Sequence, residues 1–434
     1  GGMSAQPEWG REIPSGWSYR RLRTLGRFSK GFGGSKEDNR DAGVPVVRYG
    51  DLYTTFDTVI TKPVAYVDHA TADTYATLRP GVLVMTASGE DRAEIGKAAL
   101  SMLTGHVVVG GDAILFQPGR ETDGLYLAYA LQSAPAVAQK TGLSTGFTVV
   151  HITAGRLKTV SLPLPPVTEQ RAIADYLDRE TAKIDTLIEK QTTMIERLRE
   201  RRVGVIAHAT TRGIRSGVKL KDAPQWQGQV PAHWVESPIR RALQFRRQLV
   251  GATWSTTQLL SLTKQGVIVR DIESGEGKFP ASFEGYQHVK PNDLIFCLFD
   301  IDETPRTVGR ASDYGMVTGA YTRYCVRENV ANPHFLEWAF IAIDDGKRFR
   351  PLYTGLRKVI QKPRFVGARL ALPPLDEQRE IADYLDRETA KIDALITKVE
   401  RHIELAKERR AALITAAVTG QIDVTNPTQS GDAA

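Results

Sequence analysis

The chain has 434 residues, of which 41% are hydrophobic and 25% charged, a composition typical of a folded protein with room for more than one domain. We expect neither a membrane helix nor a signal peptide, because no apolar stretch approaches the roughly 18 to 20 residues that a span needs. The net charge of +7 comes mainly from residues 216–374, which hold 22 basic and 15 acidic residues. That excess favours a polyanionic partner.

Residues 1–166 predict a first globule of short strands and one helix. Apolar, β-branched runs separated by Gly-rich or polar turns are typical of strands, and a longer apolar stretch is typical of a helix. The predicted strands are 44–49, 82–86, 107–116 and 149–152, and the predicted helix is 125–138.

Residues 167–215 predict the first of two long helices. Pro165-Pro166 marks the boundary, Thr168 is the expected N-cap, and Glu169 lies in the first turn, where the helix dipole favours an acid. Apolar residues then recur at heptad-like spacing along a helix of about 40 residues, or roughly 60 Å. The predicted stripe is Leu177, Ile184, Leu187, Ile188, Met194, Ile195, Leu198 and Val205.

Residues 216–374 predict a second globule, with strands 258–262, 294–299 and 321–326 and a helix at 333–343. Cys297 and Cys325 lie in apolar, strand-like contexts, which favours buried thiols over a disulfide or metal pair. The acids at 300, 302 and 303 fit a turn better than a catalytic pair. A basic run without intervening acids comprises Lys347, Arg348, Arg350, Arg357, Lys358, Lys362 and Arg364.

Residues 375–434 predict the second long helix, with Asp376 as N-cap and Gly420 ending the helix after Val418. Its predicted stripe is Leu385, Ile392, Leu395, Ile396, Val399, Ile403, Ala406 and Leu413.

The chain carries an internal duplication. Thirteen residues, IADYLDRETAKID, occur at 173–185 and unchanged at 381–393, each time behind Leu-Pro-Pro and Glu-Gln. Weaker matches upstream keep the same order, so the globules have diverged while the helices have stayed alike. Two single-stripe helices bury their apolar faces by pairing, and an antiparallel pair with a globule at each end is the economical arrangement. The predicted fold is therefore α+β, with two α/β globules, two long antiparallel helices as a coiled-coil spacer, and a pseudo-two-fold axis.

Sequence motifs for catalysis are not found. The glycines around 89–97 have the wrong spacing for a P-loop, and the eight histidines form no metal-binding pattern. A coiled-coil scaffold protein remains an alternative, as does a DNA methyltransferase or nuclease acting alone. The basic run argues against the first, and the missing cofactor motifs argue against the second.

Two variable globules, each followed by Leu-Pro-Pro-x-x-Glu-Gln-x-x-Ile-Ala-x-x-Leu-Asp and a helix with Lys-Ile-Asp-x-Leu-Ile, resemble the specificity subunit of type I DNA restriction-modification enzymes. The resemblance implies a cytoplasmic, non-catalytic host-defence protein that reads a bipartite, asymmetric site in double-stranded DNA. Each globule, 1–166 and 216–374, is then a target-recognition domain, and the helices set the gap between half-sites. Two methyltransferase subunits and two restriction subunits are the implied partners. They are expected to hold S-adenosylmethionine, ATP and Mg²⁺, with no cofactor or metal in this chain.

We expect the DNA contacts to lie on loops, from Arg and Lys that bond guanine edges or phosphates and from neighbouring polar side chains. The predicted residues are Lys36, Arg48, Tyr49, Ser88, Arg92, Ser144 and Thr145 in the first globule, and Lys264, Arg270, Arg306, Tyr321, Arg323, Arg357 and Lys358 in the second. Some charged residues are identical in both helix copies. We expect them either to orient the two helices where they cross, which we favour, or to contact a methyltransferase. They are Asp175, Arg179 and Glu180, with copies Asp383, Arg387 and Glu388.

Overall fold

The computed structural model describes residues 13–34, 36–224, 226–271 and 282–424. The chain forms two compact units, one of Gly1–Gln191 with Arg401–Ala434 and the other of Thr192–Glu400. Each unit holds one globule and a segment of both long helices, Val167–Arg212 and Leu375–Val418. The predicted α+β class is confirmed.

In the first unit, two mixed sheets carry the globule. The larger has the strand order Gly26–Lys30, Ala113–Pro118, Leu83–Thr86, Ala98–Ser101, Val59–Ile60, with only the last pair parallel. The smaller has the order Ala65–Val67, Val44–Val47, Val108–Val109, Ala76–Thr77, with the central pair parallel. Two-stranded pairs are Ser18–Arg21 with Ser161–Leu164, and Ser88–Gly89 with Val150–His151. The helices are Leu22–Leu25, Asp51–Thr54, His69–Ala72, Gly124–Ala130, Ala134–Leu143 and Ala154–Leu157, with a 3-10 turn at Lys36–Asp38.

In the second unit, one antiparallel sheet has the order Leu243–Phe245, Thr322–Val326, Leu294–Phe296, Val308–Arg310. Antiparallel pairs are Leu220–Asp222 with Gln229–Pro231, Val235–Pro238 with Arg369–Leu372, Leu260–Thr263 with Gly266–Val269, and Gln287–Val289 with Gly315–Val317. The helices are Pro333–Asp345 and Lys362–Gly367, and 3-10 turns occur at Ile239–Arg241, Gly251–Thr256 and Arg350–Leu352.

Two predicted elements of the first globule are wrong in extent. The predicted helix 125–138 is two helices, because Ser133 is extended and Pro135, which has no N–H, lies in the first turn of the second. The predicted strand 107–116 is two strands in different sheets, separated at residues 110–112. The other predicted strands and the helix 333–343 are confirmed, with ends shifted by up to three residues.

Both long helices begin one residue earlier than the predicted caps. The first helical residues are Val167 and Leu375, so Thr168 and Asp376 lie inside the first turn and the cap assignment is wrong. The second proline of each Pro-Pro can itself be the last residue before the helix. Its carbonyl accepts a hydrogen bond from the first turn, and the N–H that proline lacks is not required there. The predicted end is confirmed, because the second helix stops at Val418 and Gly420 has a φ of +71°.

The glutamine of each Glu-Gln pair fastens a globule to its helix. Gln170 is 0% exposed, donates to the carbonyls of Pro165 and Glu121 at 2.8 and 3.1 Å, and accepts from the Asp123 N–H at 2.8 Å. Asp123 is the N-cap of the globule helix Gly124–Ala130. One buried amide therefore joins the helix start to the cap of a second helix.

The second copy repeats this arrangement. Gln378 is 1% exposed, donates to the carbonyls of Pro373 and Val330 at 2.9 and 3.3 Å, and accepts from the Asn332 N–H at 2.8 Å. Asn332 is the N-cap of Pro333–Asp345. The preceding glutamates match as well. Glu169 accepts from the Trp17 indole at 3.1 Å, and Glu377 accepts from the Trp234 indole at 3.2 Å.

Within each unit the two helix segments run antiparallel. In the second unit, Arg199, Arg202 and Arg215 meet Glu400, Asp393 and Glu380 in reverse order, with N···O distances of 3.3, 2.9 and 2.8 Å. In the first unit, Arg410 bonds Asp185 at 2.9 Å. This pair and Arg202–Asp393 are the same two positions of the repeat, each 208 residues apart. The antiparallel prediction is confirmed within each unit.

The predicted apolar stripes are correct in part. Leu177, Ile195, Leu385 and Ile392 are buried as predicted. Leu187 and its copy Leu395 are 48% and 45% exposed, and Met194 is 46% exposed, so these three do not belong to the buried seam. Instead, Arg202 and Arg410 form ion pairs on the surfaces through which the two helices face each other.

Replacement of Gln378 by alanine is expected to lower the free energy of unfolding of the second unit by about 1 to 3 kcal/mol, because buried backbone groups lose their partner. Calorimetry of the full chain measures the change. The matched control is Arg379→Ala, next along the helix, whose exposed side chain pairs only with Asp376. Equal transition temperatures for both variants would contradict the fastening role.

Candidate DNA interface

Two predicted contacts of the first unit lie where a pair of loops meets. The strands Ser88–Gly89 and Val150–His151 pair antiparallel. The hydroxyl of Ser88 lies 2.9 Å from Nδ1 of His151, and Thr145 exchanges two backbone hydrogen bonds with His151, of 3.0 and 2.7 Å. The structure therefore brings Ser88 and Thr145 onto one exposed ribbon.

Arg92 and Ser144 join the same ribbon by different means. Arg92 Nη2 donates to the Gly146 carbonyl at 2.5 Å, and its guanidinium lies 5.9 Å from the centre of the Phe147 ring. Ser144 is 8% exposed and donates to the Thr141 carbonyl at 2.7 Å. Arg92 is thus held at the surface, whereas the Ser144 hydroxyl forms a hydrogen bond within its own loop.

Arg48 organises the neighbouring loop from within. It is 8% exposed, its Nε and Nη2 donate to Oδ1 of Asn39 at 3.1 and 2.7 Å, and its Nη1 donates to the Tyr75 hydroxyl at 3.2 Å. That hydroxyl in turn donates to Asp38 at 2.8 Å. The guanidinium is committed to protein groups in this conformation, and DNA contact by Arg48 stays a prediction.

Lys36 and Tyr49 complete the predicted set of the first unit. Lys36 is exposed in the turn Lys36–Asp38, and Tyr49 is half-buried after Arg48. Tyr53, which the sequence analysis missed, links this loop to the ribbon, because its hydroxyl bonds Thr86 Oγ1 at 2.8 Å and the Ser88 carbonyl at 3.0 Å. Burial raises the pKa of this phenol, which stays neutral.

In the second unit, the predicted Arg357 and Lys358 face an acidic turn. Arg357 Nε donates to Asp300 at 3.1 Å, while Lys358 Nζ lies 2.8 Å from Glu303 and 3.2 Å from Asp302. The hydrogen bond from Arg357 lowers the pKa of the Asp300 carboxyl. The prediction that these three acids form a turn is confirmed.

The predicted basic surface at 347–364 is interrupted by such pairs. Besides Arg357 and Lys358, Lys347 bonds Asp344 at 2.7 Å and Arg350 bonds Asp302 at 3.4 Å. Asp344 lies just before the run, whereas Asp300, Asp302 and Glu303 lie in a distant part of the sequence, so the run itself gives no sign of them. Within the described part of the chain, no acidic partner is found for Arg348, Lys362 and Arg364.

Two other predicted arginines are also paired. Arg306 is mostly buried and lies 2.9 Å from Asp345. Arg323 lies within the strand Thr322–Val326, is 2% exposed and bonds Asp293 at 2.6 Å. Its assignment to a loop is wrong, because the alternation of the strand turns this side chain inward.

The remaining predicted residues surround one hairpin. Lys264 occupies the two-residue turn between Leu260–Thr263 and Gly266–Val269, and Arg270 follows the second strand. Tyr321 lies just before the strand Thr322–Val326. Burial raises the pKa of its phenol and the charge of Arg270 lowers it, which places the two within electrostatic range.

Other kinds of site find little support. Over residues 13–34, 36–224, 226–271 and 282–424, no group of three or more His, Cys, Asp or Glu side chains is arranged to hold a metal ion. In the same ranges no helix combines the length and apolarity that a membrane span requires. Cys297 is buried and Cys325 half-buried, both as free thiols, and burial raises the pKa of each.

Comparison with known proteins agrees with a DNA-recognition role. The family model for the type I restriction modification DNA specificity domain matches residues 14–197. The specificity subunit of the type I restriction enzyme StySPI from Salmonella potsdam is 21% identical over 428 residues, which cover 95% of this chain and 90% of that protein.

Solved structures give the same fold. One similar chain comes from a structure described as the structural basis of complex assembly and conformational transition of the type I restriction-modification system. Its TM-score is 0.69 at 14% sequence identity, and the match covers 95% of this chain and all of the other. The HsdS subunit from Thermoanaerobacter tengcongensis has a TM-score of 0.52 and 16% identity, covering 96% of this chain and all of that subunit.

Duplicated globules on paired helices agree with a DNA-recognition subunit. Residues 14–197 match the DNA specificity domain, and over nearly its whole length the chain is similar to specificity subunits of type I restriction-modification systems.

Replacement of Arg323 by alanine is expected to lower the free energy of unfolding by about 3 to 5 kcal/mol, because Asp293 is left as an unpaired buried charge. Arg357→Ala removes an exposed ion pair and is expected to leave the transition temperature nearly unchanged. Thermal unfolding of both variants measures the contrast. If Asp293→Ala combined with Arg323→Ala recovers none of the loss, the buried pair is not its cause.

Proposed function

We propose that this chain is a specificity subunit that reads a bipartite, asymmetric target in double-stranded DNA, with one globule for each half-site. The observation that carries the proposal is the contrast between two globules on matching helices. The first presents a ribbon with Ser88, Arg92 and Thr145, whereas the second presents a hairpin with Lys264 and Arg270. Different side chains on related scaffolds favour different base sequences.

The predicted contacts divide by whether a carboxylate holds their side chains. Exposed cations such as Lys36 and Lys264 suit phosphates or base edges. Arg357, whose carboxylate partner fixes the plane of its guanidinium, suits a directed bond to a guanine edge. Arg48 and Arg323 act in this proposal through the loops and strands that they hold in place.

The partners in this proposal are two methyltransferase subunits and two restriction subunits. The support comes from helix residues that are identical in both copies although they face solvent. Asp175 and Arg179 are exposed, as are their copies Asp383 and Arg387. Among the described residues, these four make no ion pair across the helices, where Arg202 and Arg410 act instead. Glu388 belongs to the same predicted set, and its pKa is lowered by the hydrogen bond from Lys391 and also by the charge of Arg201 on the other helix. The crossover role favoured from the sequence therefore stays a prediction.

An identical exposed surface on two otherwise diverged halves fits two copies of one partner. Leu187 and Leu395, 48% and 45% exposed, lie about two turns beyond Arg179 and Arg387 and supply an exposed apolar anchor. We place S-adenosylmethionine, ATP and Mg²⁺ on the partner subunits and assign none of them to residues of this chain. The cytoplasm, where these partners meet DNA, is the proposed location.

Deletion of the gene is expected to abolish adenine methylation at one two-part target across the genome, and exchange of residues 216–374 for another second globule is expected to change one half of that target. Sequencing that detects N6-methyladenine measures both. Methylation that persists after deletion, or that changes in both halves after the exchange, would contradict the proposal.

Replacement of Leu187 by aspartate is expected to remove one methyltransferase from the complex, and the double variant with Leu395→Asp is expected to remove both, because each change buries a charge in one contact. Native mass spectrometry of the co-expressed subunits counts them. The control is Leu405→Asp, which is also 45% exposed and lies outside the repeated block. Loss of methyltransferase from the control, or retention of both by the double variant, would rule out this docking face.

A further inference from the structure

Two large apolar side chains are almost fully exposed, and there is one in each globule. Phe147 is 97% exposed and Leu356 is 101% exposed relative to a reference residue. Among the described residues the next most exposed large hydrophobic side chain is Tyr314, at 70%. Single exposed apolar residues are common on protein surfaces, but two extremes, one in each globule, call for an explanation.

Both side chains lie at or close to a tripeptide that the two globules share, although they are not equivalent positions of the repeat. The tripeptide Thr-Gly-Leu ends the helix Ala134–Leu143 in the first globule and occurs again at 354–356 in the second. Phe147 follows the first copy by four residues, and Leu356 is the last residue of the second copy. Each globule therefore presents its most exposed apolar side chain on the loop that begins at this tripeptide.

The loop of the first globule is held open by its own contacts. Thr145 and His151 close it with two backbone hydrogen bonds, and Arg92 bonds the Gly146 carbonyl at 2.5 Å. Gly146 has a φ of +101°, and a Cβ added there would lie 2.0 Å from the Val149 carbonyl oxygen, so only glycine fits. The turn that projects Phe147 outward is thus a built feature of the fold.

The loop of the second globule has the same kind of closure. Thr354 and Val359 exchange backbone hydrogen bonds of 2.9 and 3.0 Å, and Gly355 has a φ of +67°. Arg357, the residue after Leu356, is fixed to Asp300 by a hydrogen bond of 3.1 Å from its Nε. Neither loop leaves its apolar side chain free to fold back onto the globule without breaking these bonds.

The surroundings of both side chains favour nucleic acid as the partner. Arg92 lies against the Phe147 ring at 5.9 Å, and the hydroxyl of Ser88 and the ring of His151 lie on the same ribbon. Arg357 and Lys358 directly follow Leu356, and both are paired with the acidic turn of Asp300, Asp302 and Glu303. An apolar side chain that projects beside cations matches the wedges that enter base steps of duplex DNA. Phosphate contacts by Arg357 and Lys358 then compete with these ion pairs.

We propose that Phe147 and Leu356 each insert between two adjacent base pairs of a half-site and unstack that step. The inference rests on the proposed DNA-reading function and deepens it by naming a contact that is made with stacked bases rather than with base edges. Because pyrimidine–purine steps unstack more easily than other steps, a wedge also selects sequence at the step that it opens.

The test uses the chain assembled with its methyltransferase subunits and a duplex that carries its mapped target. 2-Aminopurine, whose fluorescence rises when it is unstacked, is placed at successive positions of each half-site. The wild-type complex is expected to raise fluorescence at one step in each half. Phe147→Ala is expected to abolish the rise in one half only and to weaken binding about tenfold, and Leu356→Ala is expected to do the same in the other half.

Matched controls separate the wedge from general surface effects. Met102→Ala in the first globule and Tyr314→Ala in the second remove side chains that are 55% and 70% exposed, and they are expected to leave both signals unchanged. Phe147→Trp keeps a flat apolar ring and is expected to restore the fluorescence rise that alanine abolishes.

The outcomes distinguish this inference from the function on which it rests. If the wild-type complex shows no sequence-specific binding, the proposed function fails and the wedge fails with it. If the wild type binds specifically and both alanine variants keep its affinity and fluorescence, the wedge is overturned while the function stands. If the alanine variants lose methyltransferase but the remaining complexes bind and unstack DNA as before, the two side chains are protein contacts, and the wedge is overturned too.

Discussion

The structure depends on a buried side-chain amide at the start of each long helix. Gln170 and Gln378 each bond two backbone carbonyls and one backbone N–H from a buried side chain. The N–H belongs in both cases to the N-cap residue of a globule helix. Since an unsatisfied buried polar group is costly, the attachment of each globule to its helix is specified by a few backbone positions. The rest of the globule is free to change.

This division accounts for the pattern of identity along the chain. The repeated block contains the residues that build the attachment and the helix pair, including Asp185 and Asp393, which accept the equivalent ion pairs from Arg410 and Arg202. The globules share a helix with a capped start and a strand beside the Pro-Pro, while their sheets differ in size and strand order. A protein whose halves recognise different DNA sequences on a common frame requires this combination of fixed attachment and variable surface.

The sequence predicts what local periodicity and repetition encode. Long helices with apolar spacing, their starts to within one residue, and the duplicated architecture all follow from patterns that neighbouring residues carry. What the sequence misses depends on distant partners. The sequence places Arg323 in a predicted strand but does not show that its side chain turns inward to Asp293. The basic run looks like an open surface because most of its acidic partners lie some fifty residues earlier in the chain. The exposure of Phe147 is invisible for the same reason, since an aromatic beside a strand is usually buried.

The pairing of these cations changes how the net charge bears on DNA binding. A positive residue that already faces a carboxylate attracts phosphate less strongly and displaces fewer counterions from DNA than a free one. In the second unit, Arg306, Arg323, Arg350, Arg357 and Lys358 all have such partners, so its excess of basic residues overstates its attraction for DNA. The ion pairs also orient the guanidinium groups, because a carboxylate fixes the plane of each one before DNA binds. Specific contacts from rigid loops, together with the added surface of partner subunits, must then supply the affinity that the bare charge of this chain does not.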